Sequence, residues 1–137
     1  MINLEITSYI AAFLAIIMFV LTMMVSMQRV NLGKQAGDIA KFVFGDGDDE
    51  IMRRRIRAFG NFIEYVPTCL IMIALIEMQG ASDTLVWCVG GAFVVGRLLH
   101  ATGMLTNPRK PLLRIVGMFA TYAALLVPAG WLLLAHS

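Results

Sequence analysis

The sequence predicts an all-α integral membrane protein, a bundle of four spanning helices built as one domain over residues 1–137. Three observations predict this class. Hydrophobic residues make up 59% of the chain and charged residues 15%, whereas a soluble domain carries about 25% charge and 45–50% apolar residues. With a mean hydropathy of +0.79, the chain is too apolar for water. Four apolar stretches follow one another, each long enough to approach the roughly 20 residues that a bilayer core requires. Finally, the eleven Lys and Arg are confined to alternate connections and the helix ends that face them.

The first helix is expected at about residues 4–28. Its run from Ile6 to Met27 holds no charge. A cleavable signal peptide would have a basic leader, a shorter apolar core and a small-residue cleavage site. Here Glu5 precedes the run and Gln28-Arg29 follows it, so a retained helix is the better reading. Residues 28–49 read as a polar loop punctuated by Gly, Asn and Asp, with a short interfacial segment from Ile39 to Phe44. Asp46, Asp48, Asp49 and Glu50 lack the spacing and the distal Glu of a calcium loop. Asp48 or Asp49 is instead expected to cap the next helix.

The second helix, residues 50–79, organises the chain. It opens on Arg53, Arg54, Arg55 and Arg57 and continues without a break into an apolar segment that carries Asn61 and Glu64. Arg54, Arg57, Asn61, Glu64 and Thr68 recur at steps of three and four, which places them on one helical face. Glu64 lies roughly 9 Å below the start of the apolar segment at the helical rise per residue. A charge so placed costs about 2.5–3.5 kcal/mol or more in lipid, so this face is expected to meet other helices or a polar cleft. Pro67 is tolerated where neighbours re-satisfy the backbone. Ser82 or Asp83 caps the third helix, residues 84–104. Any span of about 20 residues from Leu85 must contain Arg97 and His100, and Arg97 falls at a depth similar to that of Glu64. Ala92, Gly96, His100 and Gly103 form a small-residue face suited to close helix contact. The fourth helix, residues 112–135, follows a Pro-rich basic turn and has Arg114 at its start.

The remaining features are restrictive. Cys69 and Cys88 lie in apolar runs with no CxxC or Cys/His cluster, so neither a metal site nor a disulfide framework is expected. No basic, aromatic-interleaved surface supports nucleic-acid binding. The distribution of Lys and Arg places loops one and three in the cytoplasm and both termini outside. In a bacterium this is an inner-membrane protein with periplasmic termini.

At Arg57-Ala58, Asn61, Glu64-Tyr65 and Pro67 the chain resembles the MAPEG family, membrane-associated proteins in eicosanoid and glutathione metabolism. The pattern RAxxNxxEYxP is the hallmark of that family's second helix. Gly96-Arg97-Leu98-Leu99-His100 is similar to the third helix of microsomal glutathione transferases. The resemblance covers nearly the whole chain and points to the small bacterial branch. It implies a four-helix bundle assembled as a homotrimer, with glutathione bound in clefts between subunits. The matching positions are Arg54, Arg57, Asn61, Glu64 and Tyr65 on the second helix, Arg97 and His100 on the third, and Arg29 at the end of the first. The resemblance further implies an arginine near the start of the fourth helix that stabilises the glutathione thiolate. Arg114 or Arg109 fills that role, with Arg114 preferred. His100 and Met104 stand where some eicosanoid-forming members have tyrosines, which argues against a leukotriene-type substrate.

The chemistry is coherent with these residue types. Arginines bind the two carboxylates of glutathione bidentately, Glu64 matches its ammonium, and a cation near the sulfur raises the thiolate fraction. The protein then needs no nucleophile of its own. The expected function is a glutathione transferase or peroxidase acting on an apolar electrophile or lipid hydroperoxide, with membrane lipid as its surroundings. The alternative is a non-catalytic binder of lipid or another lipophilic small molecule on the same fold. A small proton-coupled exporter ranks last, because that class usually carries its glutamate on the first helix. The plain structural alternative is that Glu64 and Arg97 simply pair. For Arg53 and Arg55 the ordinary reading is a topology signal or a contact with anionic lipid.

Overall fold

Long uncharged runs form helices in an apolar solvent because only a helix satisfies every backbone group within one segment. The computed structural model describes residues 4–38, 40–106 and 110–135, and its element order is four α-helices with one short 3-10 turn at Ala40–Phe42. The helices are α1 (Glu5–Ala36), α2 (Glu50–Met78), α3 (Asp83–Leu105) and α4 (Pro111–Ala135). All four are long and apolar enough to cross a membrane.

The local signals account for most boundaries. Asp49 caps α2, its side chain accepting from the Met52 backbone N–H at 2.6 Å, and Ser82 caps α3 through the Leu85 N–H. Proline opens α4, where its missing N–H is no loss. The first boundary differs from expectation. α1 does not end near residue 28 but continues to Ala36, so residues 29–36 are helix rather than loop. It stops at Gly37, which adopts a left-handed φ of 69°. Asp38 N–H then bonds back to the Gly33 carbonyl at 3.0 Å, a glycine-dependent helix end. The end of the apolar run marks the end of a span, not of a helix. Of the segment expected from Ile39 to Phe44, the 3-10 turn covers Ala40–Phe42 and Ile39 lies outside the described residues.

The core runs between the helices and includes Ile10, Leu14, Phe62, Cys69, Ile73, Ile76, Val86 and Phe93. Phe13, Ile16, Phe19, Phe119, Leu126 and Leu133 point outward and are exposed, as suits faces turned to acyl chains. α3 packs most extensively on α4, and glycines set the distance. A Cβ on Gly117 would collide with the Gly96 carbonyl and with His100, and one on Gly96 would collide with Ala120. Gly96, His100 and Gly103 are buried as expected, whereas Ala92 is exposed and takes no part in this seam.

The opposite end of the bundle is held by a carboxylate. Leu4, at the N-cap of α1, supplies no capping side chain. Glu77 of α2 takes that place, accepting from the backbone N–H groups of Ile6 at 2.9 Å and Thr7 at 2.8 Å, and from the Thr7 hydroxyl. A carboxylate there satisfies orphan donors and meets the positive end of the helix dipole.

Candidate functional site

The helical spacing of α2 brings Arg57, Asn61 and Glu64 to one wall of a groove of about 270 Å³. Gly60 leaves that wall low between them. The facing wall comes from α3 and α4 and consists of His100, Met104 and Arg114. Gly103 makes this wall possible. A Cβ there would meet the Arg114 backbone nitrogen at 2.7 Å and the Lys110 carbonyl at 2.9 Å, so only glycine lets α4 begin against α3. Arg114 is thereby carried beside Met104 and His100.

Two further grooves share residues with the first. One, of about 250 Å³, lies toward the arginine-rich end and is lined by Glu50, Arg53, Arg54, Arg57 and Arg114, with Gly103, Met104 and Pro111. The other, of about 380 Å³, runs along α4 past Arg114, Ile115, Met118, Phe119 and Tyr122 and is mainly apolar. Arg114 lines all three. Arg57 and Glu64 are exposed, and among the described residues neither makes a salt bridge. The polar groove thus holds the guanidinium groups of Arg57 and Arg114 and the carboxylate of Glu64, none of which makes a salt bridge among the described residues.

Several expected site residues lie elsewhere. Arg97 is fully buried, at 0% exposure, and lines none of these grooves. It does not pair with Glu64. Its guanidinium donates to Asn61 Oδ1 at 2.8 Å and to Thr121 Oγ1 at 3.3 Å and lies 5.4 Å from the centre of the Phe62 ring. Similar depth did not imply contact because Arg97 points from α3 toward α4 and Asn61, not along the groove. Bonds to a charged group contribute about 1.5–3 kcal/mol each and a desolvated cation–π contact about 2 kcal/mol. These offset a burial that no carboxylate among the described residues compensates.

Arg54 leaves the expected stripe. It pairs with Glu50 at 2.6 Å and reaches toward the Thr106 carbonyl, which places it in the basic groove. Thr68 is exposed outside the grooves. Tyr65 is half-buried and lines none of the three, and Arg29 on the extended α1 is likewise apart from them. His100 lines the polar groove although it is only 1% exposed, and its Nδ1 is buried without a partner. Arg109, the alternative to Arg114, lies outside the described residues. The other arginines of the cluster have protein partners. Arg53 pairs with Asp46 at 2.6 Å, and Arg55 donates to the Met24 carbonyl of α1 at 2.7 Å. Neither is simply a free contact for lipid. Among the described residues no group of three or more His, Cys, Asp or Glu could hold a metal ion.

Sequence reasoning missed Glu77 and Thr121. Thr121 is buried on α4, where its hydroxyl also bonds the Gly117 carbonyl at 3.0 Å. Its sequence neighbourhood is apolar and offers no signal. Glu77 stood in the sequence as a second carboxylate near the end of an apolar helix, and that alone could have prompted a search for its partner.

The comparisons with known proteins agree with the architecture. The MAPEG family model matches residues 7–134. The chain is 32% identical over 118 residues to the Inner membrane protein YecN of Escherichia coli strain K12, covering 86% of each chain. It is equally similar to the protein of that name from Escherichia coli O6:H1 strain CFT073. No solved structure matches the chain at a significant level. With a family model spanning almost all of its length and four helices fit to cross a membrane, this chain belongs to the MAPEG family.

Proposed function

We propose that this protein is a membrane-embedded glutathione-binding protein that activates the glutathione thiolate against apolar electrophiles or lipid hydroperoxides. The observation that carries the reading is the position of Arg114, which borders a polar groove, a basic groove and an apolar one. Glutathione is a zwitterion with two carboxylates, one ammonium and one thiol. In the polar groove Arg57 meets a carboxylate as a two-pronged donor, Glu64 meets the ammonium, and Asn61 offers a further polar contact. Arg114 stands at the thiol, where a cation favours the thiolate that acts as nucleophile. The apolar groove along α4 receives the second substrate from the bilayer, so sulfur and electrophile meet at Arg114. Arg54 and His100 border this arrangement, and Arg97 acts from behind it.

The same proposal covers the assembly and orientation. Three copies associate through the bundle, as family membership supports. Residues 1–137 act as one membrane domain, with loops one and three in the cytoplasm and both termini in the periplasm. The basic end then faces the compartment that holds glutathione.

The test is ultraviolet absorbance of the thiolate. Purified protein in nanodiscs, with glutathione added at neutral pH, is expected to show thiolate absorbance that Arg114→Ala removes while binding persists. Binding without a thiolate signal in the parent would instead identify a non-catalytic binder. Absence of binding would contradict the proposal as a whole.

A further inference from the structure

A guanidinium can donate hydrogen bonds but cannot accept them. The atom of the Asn61 amide that faces Arg97 must therefore be Oδ1, and the 2.8 Å contact places it there. The two amide atoms point apart, and Asn61 lines the polar groove. Among the described residues Nδ2 has no protein partner, and it is not a buried orphan either. Arg97 itself is held from three sides. Thr121 Oγ1 takes its second amino group, the guanidinium carbon lies over the Phe62 ring, and the Gly96–Gly117 seam brings α4 close enough for that threonine to reach.

We propose that Arg97 is the positioning residue of the polar groove: acting from behind Asn61, it turns the amide so that a donor, never an acceptor, is offered to the ligand. This rests on the reading of the groove as a binding site, but the amide orientation itself is independent of which ligand enters. The consequence is a rule for specificity. The ligand atom that meets Asn61 must be an acceptor, such as a carbonyl or carboxylate oxygen, and a cationic donor at that point is rejected. Glu64, one turn further along the same wall, accepts only a donor. Together they distinguish the two ends of an amino-acid group, carboxylate or carbonyl at Asn61 and ammonium at Glu64. An uncompensated buried charge is costly in a membrane, and its retention is understandable if the fork geometry of arginine is required for orientation.

The test uses the full chain in nanodiscs labelled with 15N-asparagine. The sequence has four asparagines, and the Asn61 side-chain signals are identified by their loss in Asn61→Asp. In the parent, without ligand, the Asn61 amide pair is expected away from the free-amide position. In Arg97→Lys, which keeps the charge but loses the fork, the pair moves toward that position. A parent pair already at the free-amide position, or a pair unmoved by Arg97→Lys, would overturn the proposal.

Binding then supplies a second arm. Arg97→Lys is expected to weaken glutathione about tenfold, the size of one hydrogen bond, and to have no further effect in an Asn61→Ala background. An undiminished effect in that background would show that Arg97 acts by another route. Asn61→Asp replaces the buried contact by an ion pair, so the melting temperature is kept, yet it offers no donor to the groove. It should weaken glutathione by tenfold or more, and unchanged affinity would overturn the proposal. Failure of the parent to bind glutathione would contradict the functional reading alone, since the amide signals still decide the orientation.

Discussion

Two of the carboxylates on α2, Glu64 and Glu77, lead opposite lives. Glu77 is fully engaged. Two backbone N–H groups and a hydroxyl of α1 converge on it, and it stands where the helix dipole is positive. Glu64 is exposed in the polar groove and makes no salt bridge among the described residues. The same residue type on the same helix is structural in one place and available in the other. An ionisable group in a membrane span is expensive, so one whose partners are already in the protein explains itself as architecture. One with no salt bridge among the described residues points to a ligand, and Arg57 and Arg114 beside it, equally without one, point the same way.

This contrast can be broken at either end. The largest effect is expected from Glu64→Gln, which should weaken glutathione by roughly 10- to 100-fold, the size of one hydrogen bond to a charged group, and leave the melting temperature unchanged. Isothermal titration and a thermal scan on the same nanodisc sample read both quantities. Glu77→Gln should do the reverse. It loses a charged acceptor for several donors, about 1–3 kcal/mol of stability, while the folded protein keeps its affinity. Thr7→Val removes only the hydroxyl from that cap and should cost about 1 kcal/mol, read by the same thermal scan.

The smallest effect concerns the pair of Asp46 in the loop and Arg53 on α2. The Arg53 guanidinium holds the Asp46 carboxyl below its ordinary value of 3.8. A carboxyl depressed by folding stabilises above its unfolded value, and that contribution is lost as pH falls through the lower, folded value. Arg53 is exposed and Asp46 only half-buried, so screening by water and salt leaves little to lose. Asp46→Asn should scarcely move the melting temperature at neutral pH and should flatten its decline in acid, which a pH series of melts would read.

The four spans were legible because apolar length is a strong signal, and the Asp49 cap because N-caps are local. The wall of Arg57, Asn61 and Glu64 was legible because helical periodicity relates residues on one element. What crosses between elements was not. Depth put Arg97 level with Glu64, but depth says nothing of the direction in which a side chain leaves its helix. Arg97 turned toward Thr121 and Asn61 because the glycine seam brings α4 close. The extension of α1 was hidden for a different reason. Residues 29–36 mix polar and apolar residues, and such a stretch beyond a span can remain helical until a glycine in the left-handed conformation, here Gly37, ends it. Glu77 caps a helix from far along the chain, so no nearby residue announces it.

The most direct measurement is glutathione affinity and melting temperature determined together for the parent, Glu64→Gln and Glu77→Gln in nanodiscs. Affinity lost without stability in the first variant, and stability lost without affinity in the second, is the predicted result. A Glu64→Gln protein that binds as tightly as the parent, or that melts as early as Glu77→Gln, would contradict the assignment of the free carboxylate to a ligand.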